Sequence, residues 1–138
     1  MNEVKERLEK LKKLSELKEE DFAIPKRGIA YKIAYDFSQG KRKITISQLR
    51  KIFSEILSTC EEAERDLVQA RRKKVLIYPK IYYATGRGLI PLEFSKILET
   101  ILDKVEDKED FEKLKDFMMA LVAYFTAFEK GEERYEKF

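Results

Sequence analysis

TISQLRKIFSEILSTCEEAERDLVQA, residues 45–70, decides the fold. Thr45 and Gln48 stand at the spacing of a capping box, in which a hydroxyl accepts an N–H one turn on and the amide side chain reaches back to the first N–H. Behind them Leu49, Phe53, Ile56, Cys60, Ala63, Leu67 and Ala70 recur in alternating steps of four and three, which places all of them on one side of a helix. Arg71, Arg72, Lys73 and Lys74 follow. Cations there relieve the negative end of a helix dipole, so the helix is expected to close on them.

The same period governs the chain on both sides. Ile29, Ile33 and Phe37 mark a shorter helix that Gly40 is placed to end in a left-handed conformation, and Lys41, Arg42 and Lys43 then form a loop. Nearer the N-terminus, Val4, Leu8, Leu11, Leu14 and Leu17 draw one narrow stripe along a helix over residues 3–19, with Pro25 and Gly28 as a hinge behind it. Downstream, Tyr78-Pro79 reads as the start of a short helix ended by Gly86 and Gly88. Pro91 opens the next, in which Phe94, Ile97, Leu98, Ile101, Leu102 and Val105 have the spacing of a wide buried face. Asp107 or Asp110 caps the last helix, whose stretch Phe117–Phe128 holds only Thr126 as a plainly polar residue. That stretch falls short of the ~20 residues a bilayer requires, so it is expected as a central core helix or a subunit interface.

No turn pairs two alternating runs, so no strand is expected. The expected architecture is all-α: a compact bundle of five or six helices in a single helical domain over residues 1–138. Within it stand an N-terminal helical arm (1–24), a helical core (28–130) and a frayed tail (131–138).

Charge narrows the function. Residues 21–90 carry 15 Lys/Arg against 7 Asp/Glu, and residues 91–138 carry 8 against 13, so the net charge of +3 conceals a basic middle and an acidic end. A basic field concentrates polyanions and speeds their encounter. The chain has no histidine, which removes the commonest general base and metal ligand, and its single Cys60 forbids an internal disulfide or a multi-cysteine zinc site. No phosphate loop, dinucleotide fingerprint or H-E-x-x-H is present, and carboxylate pairs such as Glu61/Glu64 and Asp107/Asp110 fall on charged helix faces. Binding is therefore expected rather than catalysis, with no cofactor, no metal and no membrane, in the cytoplasm.

The candidate contacts are cationic. Lys41, Arg42 and Lys43 lead into the Thr45 helix, where free backbone N–H groups would face the same anion, phosphate being the natural one. Arg50 and Lys51 extend that basic surface, whereas Arg71 to Lys74 combine dipole compensation with excess charge. Tyr78, Tyr82 and Tyr83 read first as packing residues, with base or sugar stacking as the sharper alternative, and Cys60 reads as a small core residue.

Three blocks carry a family resemblance: Ile46-Ser47-Gln48-Leu49-Arg50-Lys51-Ile52-Phe53-Ser54-Glu55-Ile56, then Pro79-Lys80-Ile81-Tyr82-Tyr83-Ala84-Thr85-Gly86-Arg87, then Phe117–Phe128 with its Val122-Ala123-Tyr124-Phe125. In that order they resemble the small helical subunit of the type III-A CRISPR effector, the Csm complex, and the resemblance covers residues 28–130. It implies a noncatalytic subunit of antiviral defence, present in more than one copy, that stacks along the guide-RNA filament; from charge, the acidic tail is expected to meet the basic face of a neighbouring copy, so that further copies of itself are partners too. Its implied partners are the guide RNA, the captured target RNA and the other subunits of the Csm effector complex. It also implies that RNA cutting belongs to a backbone subunit, and DNA cutting and cyclic-oligoadenylate synthesis to the large subunit. The matching RNA-contact positions are Arg50, Lys51, Lys80 and Arg87; Lys41 to Lys43 and Arg71 to Lys74 are added on charge.

An A-form duplex closes its deep groove to side chains, and guide pairing already reads its sequence, so such a subunit is expected to touch phosphates and 2′-hydroxyls and to ignore base identity. This requires the cations at positions 41, 50, 71 and 87 to share one exposed side. The alternative is a helical protein-interaction or scaffolding bundle with no nucleic-acid role, using Phe117–Phe128 as its interface.

Overall fold

The computed structural model describes residues 1–39 and 43–130, which form helices and turns with no strand among them. In chain order these are α1 (Asn2–Lys10), a single 3-10 turn (Leu14–Glu16), α2 (Glu19–Phe22), α3 (Ile29–Phe37), α4 (Ile46–Arg65), α5 (Leu67–Gly86), α6 (Leu92–Asp103) and α7 (Lys108–Lys130). The all-α class is as expected. Among the described residues there are seven α-helices, and all but the one-turn α2 run to 9 residues or more. Gly40 and the tail over 131–138 lie outside the described residues.

The long apolar stretch near the end is the central core helix. On α7, Phe111, Leu114, Phe117, Met118, Leu121, Phe125 and Phe128 are all buried, with α3 and α4 packed against them. Phe94 of α6 meets Phe37 of α3 at 5.3 Å and Phe125 at 6.2 Å between ring centroids, both edge to face. Such pairs add about 0.5–1.5 kcal/mol to the burial of each ring. Because these side chains fill the core, the expectation that Phe117–Phe128 forms an interface is corrected, apart from the exposed Met119 and Ala123.

Three expected boundaries are also corrected, each by tertiary structure overriding local pattern. The stripe over 3–19 does not make one helix: α1 stops at Lys10, and Leu11 is extended at φ −67°, ψ 140°. The Glu16 carboxylate accepts the Lys12 N–H at 2.8 Å, and the Leu14 N–H crosses to the Lys104 carbonyl at 2.8 Å. That bend drives Leu14 and Leu17 into the core beside Val4 and Leu8. The helix begun at Thr45 ends at Arg65, not at Lys74, because Asp66 turns extended and accepts the Gln69 N–H at 3.1 Å, starting α5. Pro79, expected at a helix start, instead lies inside α5, where it has no N–H to offer the Val75 carbonyl. Burial of Ile77 and Ile81, with Tyr78 and Tyr82 bonded to α6, carries the helix through it.

The expected hinge has a steric cause. A Cβ on Gly28 would stand 2.4 Å from the Ile24 carbonyl oxygen and 2.6 Å from that of Phe22, so only glycine allows the chain to turn so tightly into α3. At the other end of the bundle both expected caps are used. Asp107 Oδ1 accepts the Asp110 N–H at 3.0 Å, while the buried Asp110 carboxylate accepts N–H groups from Ser15, Glu106 and Asp107.

Cys60 is buried on α4, as expected of a core residue, and burial pushes its thiol up to about 12. The folded protein is expected to be inert at pH 8 toward a thiol-exchange reagent that titrates the denatured chain fully, read by absorbance of the released chromophore. No described helix is long and apolar enough to cross a membrane.

Candidate nucleic-acid interface

Helices α4 and α5 pack as an antiparallel hairpin whose register is marked by two ion pairs. Lys80 Nζ lies 2.9 Å from Glu55 Oε2, and Lys73 Nζ lies 3.3 Å from Glu62 Oε1, so seven steps up α5 match seven steps down α4. This register carries the start of α4 to the end of α5. There the two helices part around a groove of about 460 Å³. Ile52, Ile77, Ile81 and Ala84 give it an apolar floor, and Lys51, Lys80 and Arg87 stand on its rim with Glu55 as the one acid. Arg50, the neighbour of Lys51, is exposed, as is Lys43 just ahead of Thr45. Lys41 and Arg42 lie outside the described residues.

Arg87 is held in place rather than left in a loop. It follows α5 in helical conformation, at φ −84° and ψ 0°, and its N–H bonds to the Tyr83 carbonyl at 3.0 Å. Its guanidinium donates to the Tyr83 hydroxyl at 3.1 Å, with its carbon 5.8 Å from the ring centre, inside the range of a cation–π contact. Tyr78 and Tyr82 are spoken for. Their hydroxyls donate to Asp103 at 2.6 Å and to Glu99 at 2.7 Å, fastening α5 to α6. Burial, then the Asp103 carboxylate, raises the Tyr78 hydroxyl above its ordinary value, so it stays a donor. Tyr83, 64% exposed, is the tyrosine left on the open side.

The expected gathering of all the cations on one side is corrected, because the run Arg71 to Lys74 sits at the opposite end of the hairpin. From Lys73 to Arg87 the helical rise is about 21 Å. Lys74 is 7% exposed, and its ammonium donates to the Leu102 and Val105 carbonyls at 3.1 and 2.7 Å. Arg71 Nε donates to the Glu106 carbonyl at 2.8 Å. Lys74 thus relieves the dipole of α6, not of its own helix, whereas Arg71 holds a carbonyl of the connection between α6 and α7. Lys73 is engaged with Glu62, and Arg72 is exposed. The burial of Lys74 was visible in spacing: Ala70, Lys74, Ile77 and Ile81 form a single buried stripe.

A second correction concerns the start of α4. Its N–H groups do not wait for a phosphate: Glu129 Oε2, from the last turn of α7, accepts the Ile46 N–H at 2.8 Å, and Thr45 takes that of Gln48. The anion at this helix end is supplied by the chain itself. Nothing in the sequence near Thr45 signals a partner so distant.

No group of three or more His, Cys, Asp or Glu among the described residues is arranged to hold a metal ion. The class of protein that the family comparison gives this helical chain is a small subunit of the type III-A CRISPR effector. The chain belongs to the Csm2 type III-A family, whose sequence profile matches residues 26–131. No curated protein and no solved structure matches it.

Proposed function

We propose that this Csm2-family chain is a noncatalytic, cytoplasmic RNA-contacting subunit that holds guide and target RNA by their backbones while the other Csm subunits perform the chemistry. The observation that carries this reading is the convergence of Lys51, Lys80 and Arg87 on one groove with a single carboxylate among them. Arg50 and Lys43 widen the basic end of the hairpin. The test is binding of unrelated RNA sequences across a salt series. Three phosphate contacts predict a line in log affinity against log salt with a slope of roughly −2, the same for every sequence. A flat line would overturn the reading.

The partner set includes further copies of the chain, and a separate observation favours this. On the outer side of α5, Val68, Val75 and Leu76 are exposed at 74%, 59% and 52%, with Arg72 among them. The outer side of α7 presents Glu112, Asp116 and then Met119, also exposed. Laid parallel, the two faces match cation to acid and apolar to apolar, a head-to-tail contact that repeats without closing. Leu76→Glu, which sets a carboxylate against the apolar Met119, is expected to weaken self-association at least tenfold in sedimentation, without lowering thermal stability. Equal association of the variant would remove α5 as the contact.

A further inference from the structure

A surface that only follows phosphates needs cations and nothing beneath them. The α4–α5 groove has more: under its cationic rim lies an apolar floor of Ile52, Ile77, Ile81 and Ala84, enclosing about 460 Å³. That volume is in the range of sites that enclose small aromatic ligands, ~300–1,000 Å³. Such a floor rewards an apolar group, and the rim of Lys51, Lys80 and Arg87 rewards an anion attached to it. A nucleobase carried between two phosphates joins both in one ligand.

At the lip stands Tyr83, its ring open to solvent and backed by the Arg87 guanidinium. An exposed aromatic beside an arginine is a stacking platform for a base in single-stranded nucleic acid. The two neighbouring tyrosines are tied to α6, which leaves Tyr83 as the ring able to stack. The floor offers no polar side chain, and Glu55, the acid of the lining, is bonded to Lys80 at 2.9 Å, so a base lodged there is held mainly by its apolar faces. We infer that the groove takes one unstacked base of single-stranded RNA against Tyr83, with its flanking phosphates on Lys51, Lys80 and Arg87. The inference rests on the RNA-contacting function proposed above and adds to it a preference for an unpaired nucleotide.

The experiment uses the full chain and a short unstructured RNA bearing a single 2-aminopurine, whose fluorescence reports the stacking of that base. Its matched duplex is the comparison. Binding is expected to change the single-strand signal and to favour the single strand by about tenfold over the duplex. Tyr83→Ala should lower single-strand affinity by about 5- to 150-fold, the range for loss of one base–aromatic stack, and lower duplex affinity by less, through the loss of its hold on Arg87 alone. Tyr83→Phe, which keeps the ring, should restore binding.

Two failures are distinguishable. Salt-dependent binding of both RNAs, with the fluorescence unmoved and Tyr83→Ala silent, overturns the base pocket while the backbone contacts stand. This is also the result expected if the groove serves an apolar segment of a protein. Absence of binding to either RNA overturns both the pocket and the function beneath it.

Discussion

Asp110→Ala is expected to destabilise the protein by about 3–5 kcal/mol, the loss that follows when a buried, multiply bonded charge is removed. The Asp110 side chain is fully buried. Its Oδ1 accepts the Ser15 N–H at 2.9 Å, and its Oδ2 accepts those of Glu106 and Asp107 at 2.9 and 3.1 Å. The Lys13 ammonium, bonded to Asp107, lies 3.9 Å from Asp110 Oδ2. Alanine strands three N–H groups at once, and each stranded donor costs about 1–3 kcal/mol where water cannot reach it. Against a total stability of about 5–15 kcal/mol the change is severe. Denaturant titration should show it as a lower midpoint. Hydrogen exchange should show it first in the segment around Ser15, which the carboxylate ties to the start of α7. A change below about 1 kcal/mol would mean that the N–H groups find other acceptors.

The second large effect falls on binding. Lys51→Glu, Lys80→Glu and Arg87→Glu together should lower RNA affinity at least a hundredfold at moderate salt and abolish most of the salt slope, since all the rim cations are reversed. Stability should barely change. The pair that Lys80 makes with Glu55 is more than half exposed on both sides, and such pairs contribute ~0–1 kcal/mol. The matched control reverses Arg71, Arg72 and Lys73 at the far end of the hairpin and is expected to cost less than tenfold. Lys74 is left alone, because its ammonium closes α6. Equal losses in the two triple variants would show that net charge, rather than the groove, governs affinity.

Much of this molecule is legible from its chain, and the exceptions have physical reasons. The capping box at Thr45, the wide buried face of α6 and the core role of Phe117–Phe128 depend on contacts whose period repeats locally, so spacing reveals them. The break at Asp66 left its mark in Asp66 and Gln69, one turn apart, but the apolar period ran on through it. Leu67 and Ala70 continue the four-three alternation of α4, although they belong to a helix that doubles back. Pro79 misled because the contacts that carry α5 through it reside in α4 and α6. Of the candidate contacts, Lys51, Lys80 and Arg87 converge because the packing of α5 against α4, in the register that the Glu55 and Glu62 pairs mark, carries sequence-distant residues to one end. Charge alone added Arg71 and Lys74 to them. Distinguishing a cation that serves a carbonyl from one that faces solvent requires knowing where α6 ends.

The bond from Glu129 to Ile46 spans 83 positions, so the first turn of α4 is completed by the last turn of α7. A ribosome delivers these partners in the reverse of the order in which they are needed. The hairpin emerges early, and the helix on which α3 and α4 pack emerges late. Until residue 129 has left the exit tunnel, Leu49 and Ile56 have no α7 to cover them, so a stalled nascent chain is a natural client for a chaperone. A chain cut short before Glu129 is thus expected to lack the acceptor that completes the first turn of α4.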